Sequence, residues 1–208
     1  MFIVFDSIDG GGKGFQRERV LAILHEKGLQ VKGEEFPIHN AFYETVIHPA
    51  LQEITTLNKA SWVLSFLLDK TLAADEINDY VGNSEKHFIA DGYFTTTIAY
   101  QGFLTEQVSI DKLLSYAKDF DIPKPDIAIY LDVDPEIAYK RKEQEEGHDE
   151  GLDMFEKSIE KQKKLREIYK KMVNEQIYCK WVEVDGNGSP EEVTDAIIAQ
   201  LKKVQVLN

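Results

Sequence analysis

Between two phenylalanines near the start, the chain reads Asp6-Ser7-Ile8-Asp9-Gly10-Gly11-Gly12-Lys13-Gly14. Successive glycines let consecutive backbone N–H groups turn toward one anion, and a lysine directly after them adds a point charge. The chemistry is phosphate binding. The spacing fits a P-loop if a strand precedes it and a helix follows. Two positions depart from that motif: its first Gly is Ser7, and the Ser or Thr that would follow the lysine and touch Mg2+ is Gly14, with Phe15 next. Mg2+ keeps several waters in such sites, so one missing hydroxyl is not fatal. A second reactive group is Asp91, at the end of an apolar run. A carboxylate that ends a strand beside a P-loop is where a metal-linked acid belongs. Phe66, on a helix-forming stretch, could stack on a base, and could equally be core. Tyr100 carries the same two readings, and Lys70 and Arg141 could be solvated surface charges.

The elements that must position these groups alternate. Phe2 to Phe5 is a short apolar run leading into the Gly-rich turn, so it reads as a buried strand. Phe15 to Lys27 carries Val20, Leu21, Ile23 and Leu24 at helical spacing, and Gly28 suits its C-terminal cap. Further strands are expected at Val31–Phe36, His87–Ala90, Asp126–Val133 and Lys180–Val184, with a long helix over Ser61–Ile77. Asp134 can cap a helix starting at Pro135, and Ser189 one starting at Pro190. This order predicts an α/β fold, a five-stranded parallel sheet with helices on both faces and ligands at the carboxyl ends of the strands. A chain of 208 residues fits one such domain.

A formal net charge of −13 argues against nucleic-acid and anionic-membrane partners, which need a basic face. Any phosphate site must therefore be local. Cys179 is the only cysteine, which excludes an intramolecular disulfide and suits the reducing cytosol. The apolar start is too short for a signal peptide or a membrane span. A cytoplasmic protein is expected.

Beyond the loop, several segments resemble thymidylate kinases in order along nearly the whole chain. Residues 2–13 are similar to the family's opening. Phe36-Pro37-Ile38-His39 is similar to a Phe-Pro-x-Arg segment, and Phe66-Leu67-Leu68-Asp69-Lys70 to a Phe-x-x-Asp/Asn-Arg helix. Asp91 through Tyr100-Gln101-Gly102 is similar to the signature Asp-Arg-Tyr-x-x-Ser-x-x-Ala-Tyr-Gln-Gly, which generic P-loop proteins lack. Tyr130 to Glu136 with Lys140-Arg141 resembles the strand and helix that lead into a lid, here 142–153. The resemblance implies transfer of a phosphoryl group from ATP, with Mg2+, to thymidine monophosphate by a homodimer. It implies that the loop from Asp9 through Gly10, Gly11, Gly12, Lys13 and Gly14 to Phe15 binds the donor. Arg141 would lie against adenine, with Gly186 in the loop that closes over it. Lys13, Asp91 and Arg141 would serve catalysis, Asp91 also holding the metal. Asp9 would hold the acceptor's 3′-hydroxyl, Phe66 stack on thymine and Lys70 hydrogen-bond it. Phe36, His39, Tyr100 and Gln101 would complete the acceptor site.

The same resemblance exposes missing charge. The acceptor-phosphate arginine is His39, the arginine after Asp91 is Gly92, and neither the loop nor the lid carries one. An arginine stabilising the transferring group is worth ~10³–10⁵ in rate in related chemistry. Three readings stay open: a working kinase with a different cation set, a different acceptor, or a relative that binds nucleotide without turnover. A P-loop NTPase that couples hydrolysis to motion would not need the Asp91–Gly102 block.

Overall fold

A computed structural model describes residues 1–144 and 158–204. The elements run β1 (Phe2–Asp6), α1 (Lys13–Glu26), β2 (Gln30–Glu35), a π-helical turn Tyr43–Ile47 leading into α2 (His48–Leu51), α3 (Lys59–Leu72), α4 (Ala74–Asn78) and β3 (Lys86–Asp91). There follow α5 (Phe94–Thr97), which widens into a π-helical stretch at Ile98–Leu104, then α6 (Ile110–Asp119), β4 (Ile127–Asp132), α7 (Pro135–Gln144), α8 (Ile159–Asn174), β5 (Trp181–Asp185) and α9 (Pro190–Lys203).

The five strands pair in parallel in the order β2-β3-β1-β4-β5. β1 and β4 are wholly buried, which is why they read as unbroken apolar runs. Alternation splits them between two cores. Ile3, Phe5, Ile89 and Ile129 pack under Val20 and Leu24 of α1 and Val193, Ile197 and Leu201 of α9. Phe2, Val4, Phe88, Ala90 and Tyr130 face the other way, against Leu67, Phe94, Leu165 and Tyr169. Helices therefore cover both faces, as expected.

The expected strands are all present. α1 ends at Gly28 with φ +81°, where Gly28 N–H donates to His25 O and Leu29 N–H to Leu24 O, a Schellman closure. Ser189 caps α9 reciprocally with Glu192. The long helix expected over Ser61–Ile77 is instead two, broken at Ala73. The amphipathic helix α6 and the basic helix α8 add to the expected elements. Most of the expected lid, 142–153, lies outside the described residues.

Candidate active site

All five strands end on an acid. In spatial order across the sheet these are Glu35, Asp91, Asp6, Asp132 and Asp185. The phosphate loop rises from the centre of this edge, between β1 and α1. Its glycines have separate reasons. Gly10 (φ +75°) and Gly12 (φ +83°) take left-handed backbone, and a Cβ at Gly10 would strike Ala138 O of α7. Gly11 packs on the Ser7 side chain, whose hydroxyl donates to Leu131 O at 2.6 Å. Ser7 thus pins the loop to β4 where the motif has glycine.

Lys13 reaches back over the loop, its Nζ 3.4 Å from both Ser7 O and Ile8 O. Desolvation pulls its pKa down, but Asp91, Asp9, Asp6 and Glu35 outweigh it and hold the ammonium charged. Asp91 is the opposite case. Burial, with help from Glu35, lifts its pKa to about 6 against the pull of Lys13 and Arg17. Gly14 makes room for it, since a Cβ there would sit 3.2 Å from Asp91 Oδ2. Asp6 is fully buried and raised by desolvation, and it accepts from Thr95 (2.6 Å), Thr96 (2.8 Å) and Tyr169 (3.2 Å) hydroxyls.

A cavity of about 430 Å³ opens above Lys13 and Asp91. Its walls include Asp9, Gly10, Gly12, Gly14, Phe15, Phe36, His39, Phe66, Lys70, Tyr100 and Gln101, so the fold gathers most of the residues expected from the sequence. Asp9 is fixed from two sides: Tyr100 Oη donates to its carboxylate at 2.9 Å and Gln162 Nε2 at 2.8 Å, while Asp9 N–H donates to Gln162 Oε1. The Lys70 ammonium lies 2.8 Å from Asp69 and within 5.2–5.4 Å of the Phe36 and Phe66 ring centres. Lys70 is therefore buried and paired, not a solvated surface charge. Phe66 is nearly buried and stacks on Trp62, yet it still lines the cavity. His39 stacks on Tyr43 at 4.4 Å. Two buried polar atoms of cavity-lining residues, Thr97 Oγ1 and Gln101 Oε1, have no partner among the described residues.

Arg141 and Gly186, also expected in the site, are not among the residues that line this cavity. The Arg141 guanidinium donates to Gly186 O (3.0 Å) and Gly188 O (3.3 Å), and Asn187 is tied to Asp132 O, Asp134 N–H and Asp185. Sequence reasoning missed Gln162, Arg166 and Tyr169 of α8. Arg166 grips Asp132 with two hydrogen bonds, 2.6 and 2.9 Å, and Lys170 adds a third contact. The Ser158 cap and the spacing of Leu165, Ile168, Tyr169 and Met172 mark that helix in the sequence. No local signal tells that Gln162 meets Asp9.

A family model described as thymidylate kinase matches residues 5–197. The chain belongs to the thymidylate kinase family. A probable thymidylate kinase of Methanosphaera stadtmanae is 31% identical over 98% of both chains. Thymidylate kinases of Dictyostelium discoideum and Plasmodium falciparum are 29% and 25% identical, over 99% of this chain and 88% and 91% of theirs. Within the thymidylate kinase pattern, the structure explains one departure. Gly92 has φ +63°, and a Cβ there would lie 3.0 Å from Thr96 Oγ1, so the position expected to hold an arginine has left-handed backbone under a close hydroxyl.

Proposed function

We propose that this enzyme transfers the γ-phosphoryl group of ATP to thymidine monophosphate, giving ADP and thymidine diphosphate. The observation that carries the reading is one cavity shared by Lys13 and Asp91 on one side and Phe66, Lys70, Thr97 and Gln101 on the other. The Thr97 and Gln101 oxygens, unpartnered among the described residues, want donors or acceptors that a pyrimidine edge supplies, and Phe66, which lines the same cavity, would stack on the base. The loop N–H groups and Lys13 would hold the donor phosphates, with Arg141 and Gly186 on the adenine side. Asp9 would orient the acceptor sugar and His39 face the acceptor phosphate. Catalysis here is positioning and electrostatics more than covalent chemistry.

Mg2+ fits the site. Asp91 is a buried carboxylate with no hydrogen bond to its side chain among the described residues, and the missing side chain at Gly14 leaves space beside it. Bound there, Mg2+ would neutralise phosphate charge. We read the chain as one P-loop domain with a lid at 142–153, acting in the cytoplasm. Among the described residues no helix is long and apolar enough to cross a membrane. Leu64, Leu68 and Leu72 form an exposed stripe at i, i+4, i+8 along α3, which favours a homodimer through that helix. Light scattering should give a dimer mass that Leu68→Glu halves.

The test is a coupled ADP-release assay over a panel of nucleoside monophosphates. Thymidine monophosphate should be the best acceptor. Purine monophosphates used equally well would overturn the reading.

A further inference from the structure

Of the exposed large apolar side chains among the described residues, Phe15 alone lines the cavity. It is 54% exposed and sits in the first turn of α1, just after Lys13 and Gly14. A ring left in water adds little to the fold. It is held in place nonetheless. Arg19, one turn further on the same helix face, sets its guanidinium carbon 5.6 Å from the ring centre. Arg19 is in turn fixed by α9: its Nε donates to Thr194 Oγ1 at 2.8 Å and its Nη1 to Glu191 at 3.2 Å. Gln16 ties down the same turn, donating to Pro190 O at 3.0 Å and accepting from Thr194 Oγ1 at 2.7 Å. The ring is therefore braced through α9 and still largely open to solvent.

That brace fixes where Phe15 stands. α9 starts directly after the loop 186–189, the loop that accepts from Arg141 through Gly186 O and Gly188 O. Phe15 thus lies between the phosphate loop, which it follows, and the start of α9. With the donor's phosphates on the phosphate loop and its adenine toward Arg141 and Gly186, the ribose has to span this gap. Helical side chains lean toward the N-terminus, so the ring leans toward the phosphates. Gly14 and Phe15 leave the turn without a hydroxyl at either position, and what position 15 offers instead is an apolar face. The C–H face of a sugar is the part of a nucleotide beside the phosphates that such a ring can cover.

We propose that the Phe15 ring, braced by Arg19, is the platform on which the donor's ribose packs. It rests on the reading of the phosphate loop and Arg141 as the two ends of a nucleoside triphosphate site.

The experiment is isothermal titration of ATP, and separately of inorganic tripolyphosphate, into the full chain in MgCl2. Tripolyphosphate carries the phosphates without the ribose. Phe15→Ala should weaken ATP about four- to tenfold, the worth of half a phenylalanine's surface, and leave tripolyphosphate affinity and Tm unchanged. Phe15→Tyr should restore ATP affinity. In the wild type, ribose protons of bound ATP should show nuclear Overhauser contacts to an aromatic ring, and these should vanish in Phe15→Ala. Equal weakening of both ligands would mean that Phe15 only shapes the loop, and unchanged ATP affinity that the ring does not touch the donor; either overturns the platform. Contacts from the ring to adenine protons but not to ribose would overturn the ribose assignment. ATP bound by the wild type no better than tripolyphosphate would overturn the donor reading, and the platform with it.

Discussion

Replacing Gly92 separates charge from backbone strain. A left-handed residue other than glycine costs roughly 1–2 kcal/mol. The new Cβ would also press on Thr96 Oγ1 at 3.0 Å, and that hydroxyl is not free to leave: it donates to Asp6 at 2.8 Å and accepts from Tyr93 N–H. Both Gly92→Ala and Gly92→Arg should therefore lose about 1–2 kcal/mol, or roughly 2–8 °C in Tm for a chain of this size. Their chemistry should differ. An arginine at the end of β3 can make a charge-assisted hydrogen bond to the acceptor phosphate, worth ~1.5–3 kcal/mol, and alanine cannot. At saturating ATP, kcat/KM for thymidine monophosphate should be at least about tenfold higher for Gly92→Arg than for Gly92→Ala, at equal thermal stability. Two folded variants with the same kcat/KM would show that position 92 does not reach the acceptor phosphate.

Asp91→Asn should stabilise the free protein while removing turnover. Burial raises the folded pKa to about 6, so ionising Asp91 costs stability as pH rises from about 4 through 6. The gain should be about 1–3 kcal/mol at pH 7 and vanish below pH 4, read from thermal unfolding against pH. Asp132 should behave in reverse. Arg166 and Lys170 overcome its burial and hold its pKa at about 2, so its contribution is complete above about pH 4 and fades toward pH 2. Asp132→Asn should lose about 2 kcal/mol at neutral pH and show a flatter acid-unfolding profile; an unchanged profile would mean that the pair is not formed. Phe66→Ala should weaken thymidine monophosphate binding by about tenfold or more, since base–aromatic stacking is worth ~1–3 kcal/mol. If it lowers Tm without touching affinity, Phe66 is only core.

What the sequence disclosed was local. The apolar run of β1, the glycines and Lys13 are contiguous, and Gly28 and Ser189 act on backbone groups a few residues away. Asp91 is legible because β3 is apolar up to it. The hidden part is long-range. Gln162 lies 153 residues from Asp9, which it clamps, and nothing in either neighbourhood announces the pair. The alignment of Glu35 with Asp91 depends on strand order and register, which alternation alone leaves open. Lys70 could be read as surface because its pairing with Asp69 needs the helix to be packed against the Phe36 segment. The left-handed backbone of Gly92 is likewise a product of the turn that carries the chain from β3 into α5.

The most direct test of the central claim is label transfer. Incubated with ATP labelled at the γ-phosphate, thymidine monophosphate and Mg2+, the wild-type chain should produce labelled thymidine diphosphate. Lys13→Ala, with unchanged circular dichroism, should produce none above background. Label released only as inorganic phosphate, or Lys13→Ala keeping turnover within about threefold of wild type, a loss of under ~0.7 kcal/mol, would contradict the account.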